Sequence, residues 1–234
     1  MAGADEATVQ ADYDAFHRRR VEILLNACAV TAPGRDTLVL DVGRAAVSMR
    51  LLRLYDLVWT LGYPVADPLD GGLSGHIAFD LNQAFGATAP LSELRFDLIV
   101  FAETLEHLFA PPERVLGALA SLLAPGGAII CQTPNAAALS NRVKLLLGRN
   151  PYERLRDTPG NLGHIRESTK AELVEFARVA GLRVERHSFH EYFDWPPGGW
   201  MRRAAEAAIR AASALIPSLR RGQMAVLRRA SGEV

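Results

Sequence analysis

The chain predicts an α/β fold: a doubly wound, seven-stranded and mostly parallel sheet with helices on both faces and an antiparallel last strand. Three observations carry this. Apolar runs alternate with helical segments, which asks for right-handed β-α-β crossovers and hence parallel strands. The runs are continuous rather than alternating, as in Leu98-Ile99-Val100-Phe101, so both faces of each strand meet apolar neighbours. Two runs near the C-terminus, Leu182 to Phe189 and Gln223 to Arg229, read as a final pair of strands. With 234 residues, 49% of them apolar, there is room for one large domain over 1–234.

Taken in order, residues 5–30 read as a helix, with Val21, Leu24, Leu25 and Cys28 at helical spacing. The charged stretch His17-Arg18-Arg19-Arg20 reads as a solvated face of it, with a binding patch as the other reading. Thr37 to Val42 is the first strand, and Gly43 closes it. Arg44 to Leu54 suits a short helix. Leu57 to Leu61 is the second strand, ended by Gly62-Tyr63-Pro64, and 68–75 is a loop. Ile77 to Leu81 is a short third strand and Phe96 to Glu103 the fourth. Pro111-Pro112 opens a helix that runs to Leu123. Ala128 to Thr133 is the fifth strand. Residues 135–165 form a long excursion with an apolar helix near Val143 to Leu147. Thr169-Lys170-Ala171-Glu172 is a capping box, and Gly181 ends the helix it starts. Residues 200–221 are an amphipathic helix, with Met201, Ala205, Ala208, Ile209, Ala212, Leu215, Ile216 and Leu219 on one stripe. That stripe fits a core-facing helix or one lying in a membrane interface.

Composition narrows the partners. Twenty-six basic and twenty-six acidic residues give a formal net charge of zero, which argues against general nucleic-acid binding. Cys28 and Cys131 are far apart, without metal-ligand spacing, and read as small core residues of a cytoplasmic protein. No metal is expected. No apolar run approaches the ~20 residues that span a bilayer.

The stretch Phe96-Asp97-Leu98-Ile99-Val100-Phe101-Ala102-Glu103-Thr104-Leu105-Glu106-His107-Leu108 is the most informative. An apolar run closes on an acid and passes into a Glu-His-Leu turn. Leu123-Ala124-Pro125-Gly126-Gly127 follows, then a run ending Gln132-Thr133-Pro134-Asn135. In this order, from about Thr37 to about Arg229, the pieces resemble class I S-adenosylmethionine-dependent methyltransferases. The resemblance implies a Rossmann-like sheet, S-adenosylmethionine as cofactor and in-line methyl transfer to an acceptor.

Family positions carry over residue by residue. The first-strand acid and first glycine of the cofactor loop are Asp41 and Gly43. Ala45 and Val47 stand where the second and third glycines belong, and valine there would crowd a ligand. Arg44 adds a cation beside a sulfonium. The strand-two acid that binds the ribose has no direct match; Asp67 is the nearest carboxylate, and an ordinary loop aspartate is the other reading. Asp80 and Leu81 match the pair that bounds the adenine. Glu103 falls where the family lines the methionine end, in the crevice at the carboxyl ends of the strands.

On the acceptor side, His107 and His164 are the candidate catalytic groups, and Asn135 and Arg166 the candidate acceptor contacts. His164 lies in Gly160-Asn161-Leu162-Gly163-His164-Ile165-Arg166, a loop suited to holding an anionic group. Lys144, Arg149, Tyr152, Arg154 and Arg156 make the excursion a basic, partly aromatic lid. That suits a small-molecule, sugar or lipid-linked acceptor that is acidic, methylated on oxygen. The loop departures leave a second reading open, a methyltransferase-like binding or scaffold module without turnover. A dinucleotide enzyme is disfavoured, because no Gly-x-Gly-x-x-Gly follows the first strand.

Overall fold

The computed structural model describes residues 6–43, 46–85, 92–158, 162–192 and 199–230. Its seven strands are β1 (Leu38–Val42), β2 (Leu57–Gly62), β3 (Gly75–Ala78), β4 (Phe96–Ala102), β5 (Leu123–Pro134), β6 (Leu182–His190) and β7 (Gly222–Arg229). They form one sheet in the order β3-β2-β1-β4-β5-β7-β6. The pairs from β3 to β5 are parallel; β7 runs antiparallel to both β5 and β6. The predicted topology is therefore the observed one.

The continuous apolar runs feed two cores, one on each face. Successive side chains of a strand point to opposite faces. Val39, Leu98, Val100 and Ile130 enter one core, and Leu40, Ile99, Phe101 and Ile129 the other. On the first face α1 (Glu6–Thr31) brings Leu24, Ala27 and Cys28, and α2 (Ala46–Leu51) brings Leu51. On the second, α3 (Pro112–Ser121) buries Val115, Leu116 and Leu119, and α5 (Lys170–Val179) buries Leu173 and Ala177. Each of the Val, Leu, Ile and Phe side chains among them, fully buried, contributes roughly 1.5–3 kcal/mol. The capping box of α5 is present, with Thr169 Oγ1 accepting from the Glu172 amide at 3.3 Å and Glu172 Oε2 accepting from the Thr169 amide at 2.8 Å.

Four expectations are corrected. The third strand lies earlier than Ile77 to Leu81: it pairs Trp59↔Gly75 through Gly62↔Ala78, and Leu81 begins a 3₁₀ turn that Asp80 caps, accepting from the Asn82 amide at 2.9 Å. The fifth strand begins at Leu123, before the Pro125-Gly126-Gly127 turn, which it absorbs as an irregularity in its register with β4. The short helix after β1 is only Ala46–Leu51, so Val47 is helical and packs partly buried on the first core. Arg44 and Ala45 lie outside the described residues. The excursion helix α4 is Leu139–Leu146 and buries no residue; Leu145, Leu146 and Leu147 are exposed.

The amphipathic helix α6 spans Trp200–Leu215, followed by a 3₁₀ turn Pro217–Leu219. Its stripe is only partly covered. Ile209 and Ala212 are half-buried and Leu219 is buried, while Trp200, Leu215 and Ile216 are exposed. Among the described residues, no helix is long and apolar enough to cross a membrane.

Candidate active site

The sheet order reverses between β1 and β4, and in open α/β sheets ligands bind at the carboxyl ends of the strands at such a switch. Two cavities lie at these strand ends, with Glu103 and Thr104, consecutive residues after β4, on the wall of one each. The first, of about 270 Å³, is lined by Val42, Gly43, Leu61, Phe79, Asp80 and Leu81, among others. Gly43 has φ +86°, and a Cβ there would stand 3.3 Å from Thr104 Oγ1. Only glycine combines that backbone with so close an approach.

The predicted residues divide at this cavity. Gly43, Asp80 and Leu81 line its wall. Asp41 lies behind it, fully buried, and its Oδ2 accepts the Ser48 hydroxyl at 2.6 Å. Burial pushes the Asp41 carboxyl up to about 7, against the hydrogen bond from Ser48. Asp67 lines no described cavity; its Oδ1 accepts from the Leu69 amide at 3.0 Å, an ordinary loop contact. The end of β2 is braced by His76 instead. Its Nε2 donates to the Tyr63 carbonyl at 2.9 Å, since a carbonyl can only accept, and Nδ1 takes the Thr60 hydroxyl at 2.8 Å.

The second cavity, of about 460 Å³, is lined by Arg20, Glu103, Asn135, Lys144, His164 and Glu167, among others. Glu103 therefore faces this space, while its neighbour Thr104 faces the first. The turn that separates them is tight: Glu103 has φ +49°, uncommon for a residue with a Cβ. Its Oε2 accepts from Arg20 Nη1 at 2.8 Å, in a pair almost closed to solvent. Burial raises the Glu103 carboxyl, and the Arg20 charge opposes that.

The histidines lie together beside this cavity. Their rings meet edge to face, centroids 4.9 Å apart. His107 Nδ1 donates to the Gly163 carbonyl at 2.8 Å, and burial lowers its pKa. His164 Nδ1 lies 3.0 Å from Glu167 Oε1, and that hydrogen bond raises its pKa. Glu106 is fully buried beneath them; burial, then the charge of Glu103, raises its carboxyl well above the usual range. Its Oε2 accepts the Thr133 hydroxyl at 3.0 Å. The Glu106 carbonyl accepts the Ile165 amide at 2.7 Å, which ties the histidine loop to the turn after β4.

The two candidate acceptor contacts are placed differently. Asn135 is on the cavity wall, but its side chain is spent on the fold: Nδ2 donates to the Ser218 and Arg220 carbonyls at 2.9 and 2.8 Å, and Oδ1 accepts from Ala137. Arg166 is exposed, pairs with Glu172 and lines neither cavity.

A family model described as "Methyltransferase domain" matches residues 18–187. The chain belongs to the class I S-adenosylmethionine-dependent methyltransferase family. A protein of Mycolicibacterium smegmatis (strain ATCC 700084 / mc(2)155), described as a probable S-adenosylmethionine-dependent methyltransferase, is 30% identical over 179 residues. The match covers 71% of this chain and 59% of that relative, so the chain spans somewhat over half its length. Among solved structures, magnesium protoporphyrin IX methyltransferase (ChlM) from Synechocystis PCC 6803, with bound SAH, aligns at TM-score 0.57 and 14% identity over 98% of this chain and 90% of that one. The N-methyltransferase NodS from Bradyrhizobium japonicum WM9, in complex with S-adenosyl-L-homocysteine, aligns at 0.57 and 16% identity over 97% and 94%. At those identities the structures establish the shared fold.

The cofactor of this methyltransferase family, S-adenosylmethionine, fits the first cavity. Gly43 gives the close backbone approach, Leu61, Phe79 and Leu81 give apolar walls, and Asp80 gives a carboxylate acceptor. The family's strand-two acid has no counterpart on this wall. Sequence reading missed Thr104, His76, Arg20 and Glu167 as wall residues, and gave Glu106 no task although it stands inside the Glu-His-Leu motif. Glu167 had a signal, three residues after His164 in the same loop. Arg20 had none, since only the path of α1 brings it to Glu103.

Proposed function

We propose that this protein is an S-adenosylmethionine-dependent methyltransferase that methylates an oxygen of an acidic small-molecule, sugar or lipid-linked acceptor. The observation that carries the reading is the junction at the end of β4, where Thr104 lines the cofactor cavity and Glu103 the second cavity. Two cavities walled by consecutive residues at a strand's carboxyl end suit an in-line displacement, because holding acceptor and methyl group in line supplies much of the rate. When bound, S-adenosylmethionine supplies an electrophilic methyl group on its sulfonium.

The chain's own residues do the rest. Gly43, Asp80 and Leu81 hold the adenosine end, with Asp41 as the buried support of the loop. Arg20, Lys144 and Arg221 share the acceptor-cavity wall with Glu103, Glu153 and Glu167, and Ala138, Asn141, Lys144 and Pro151 of the excursion form its lid side. His164, held by Glu167, orients or deprotonates the acceptor hydroxyl, and His107 fixes the loop through Gly163. The exposed apolar residues of α6, Trp200, Leu215 and Ile216, suit a peripheral membrane contact if the acceptor is lipid-linked. The buried free cysteines Cys28 and Cys131 suit a cytoplasmic protein.

One observation favours a second reading, a binding module without turnover: among the described residues, no carboxylate at the end of β2 lines the first cavity. Calorimetry with S-adenosylmethionine and S-adenosylhomocysteine separates the two. Binding at micromolar to submillimolar cofactor, with methyl transfer to any acidic hydroxylated acceptor, supports the enzyme. No heat at millimolar cofactor would leave the module.

A further inference from the structure

His107, His164 and Glu106 meet in a way that proton transfer alone does not require. One carboxylate oxygen of Glu106 and one ring nitrogen from each histidine lie within 4.8 Å of one another. Each histidine commits Nδ1 to an oxygen acceptor, the Gly163 carbonyl for His107 and Glu167 Oε1 for His164. The neutral ring then carries its proton on Nδ1 and keeps a lone pair on Nε2. Metal-bound imidazoles are held in this manner, with the far nitrogen tied to a carbonyl or a carboxylate.

Glu106 supplies the charge once an ion takes the place of its proton. Its side chain is fully buried, and Oε1 has no hydrogen-bond partner among the described residues. A buried acceptor left unmet costs ~1–3 kcal/mol, more for a charged group, and a cation removes that cost. Glu103 stays outside the set, since Arg20 already neutralises it.

We propose that Glu106, His107 and His164 form a binding site for a divalent transition-metal ion. Two imidazoles and one carboxylate suit Zn²⁺, Mn²⁺ or Fe²⁺ rather than the hard, all-oxygen ions. Tetrahedral ligands at ~2.0–2.1 Å stand about 3.3 Å apart, so separations of up to 4.8 Å have to contract by up to roughly 1.5 Å. His164 follows Gly163 in a loop and can make that move. The role of the ion rests on the methyl-transfer reading above. His164 lines the acceptor cavity, so an open coordination position there takes the acceptor hydroxyl as ligand. The hydroxyl proton leaves to water, the oxygen pair forms the new O–CH₃ bond, and the S–CH₃ bond breaks with S-adenosylhomocysteine as the leaving product.

The test uses the full chain, stripped with a chelator and titrated with Co²⁺ by visible absorption and with Zn²⁺ by calorimetry. S-adenosylhomocysteine affinity is measured on the same samples. One ion per chain is expected. Glu106→Gln and His164→Ala should each weaken it by at least ~100-fold, and Glu167→Gln by ~10–100-fold through loss of the outer hydrogen bond. Glu106→Gln keeps an acceptor for Thr133, and thermal melts of the metal-free proteins check its fold; His164→Ala carries the test if that variant does not fold. No stoichiometric ion, or an ion indifferent to these substitutions, overturns the site. S-adenosylhomocysteine binding without ion binding overturns the site and leaves the enzyme reading standing. Ion binding without S-adenosylhomocysteine binding supports the site and removes the enzyme reading.

Discussion

Ser48 donates its hydroxyl hydrogen to Oδ2 of Asp41 at 2.6 Å, in a fully buried pair that joins α2 to the end of β1. Burial holds the Asp41 carboxyl near 7, above its ordinary 3.8. Folded Asp41 thus keeps its proton where unfolded Asp41 has lost it. Its stabilising contribution is complete below about pH 4, falls as pH rises, and is gone above about pH 7. The span of roughly three units corresponds to on the order of 4 kcal/mol at most. Asp41→Asn should therefore gain stability relative to the native protein between pH 4 and 8, read from denaturant midpoints. Ser48→Ala should carry the decline to higher pH. Parallel pH profiles for native and Asp41→Asn proteins would show that Asp41 ionises normally.

Asp80 and Asp67 are both carboxylates near the cofactor cavity, but only Asp80 lines it. Asp80→Ala should weaken S-adenosylhomocysteine binding by ~1.5–3 kcal/mol, or roughly 10- to 150-fold, the scale of a lost hydrogen bond to a charged group. Asp67→Ala should change it less than twofold. Asp80→Asn keeps the acceptor that caps Asn82 and isolates the charge. Calorimetry of the three variants decides; equal losses at the two positions would put Asp67 at the ribose.

Val47 occupies a family glycine position, yet it lies in α2 and packs on the core. Removing its side chain then costs stability rather than relieving the ligand. Val47→Gly should lose about 1–2 kcal/mol, from helix entropy and lost packing, with S-adenosylhomocysteine affinity within about threefold. A clear tightening of binding would show that the valine crowds the cofactor after all.

The sheet was legible because buried parallel strands need continuous apolar runs, and the chain spells them out from Leu38 to Phe101. The acidic turn after β4 was legible as a site for the same reason: a charge closing a buried strand has a ligand or an ion pair to meet. Other features depended on distance in space. Asp80 reads equally well as a strand end or as a cap, and pairing with β2 decided it. Glu103 reads as a wall residue at the end of β4, but that it lines the second cavity, with a left-handed backbone, is not encoded in any side-chain pattern. Arg20 stands 83 residues from Glu103 in sequence, so their ion pair existed only once α1 was placed. The stripe of α6 is a pattern without an address, because Leu215 and Ile216 on it stay exposed.

The loop around His164 offers the sharpest test of the acceptor site. His164 is partly exposed and is held by Glu167 three residues on, so His164→Ala should leave the melt nearly unchanged. Loss of a group that ionises or orients the acceptor typically costs ~10²-fold or more in rate. Turnover toward an identified acceptor should fall by that factor, with S-adenosylhomocysteine affinity unchanged. His107→Ala should behave differently. Its Nδ1 bond to the Gly163 carbonyl anchors the loop at 2.8 Å, and deleting it leaves that carbonyl without this donor. A loss of roughly 1 kcal/mol of stability is expected together with lower turnover. Rate and melting measurements on both variants separate the roles. A His164→Ala protein with full activity would move the acceptor chemistry to His107, and one that no longer folds would make the loop histidine a structural residue.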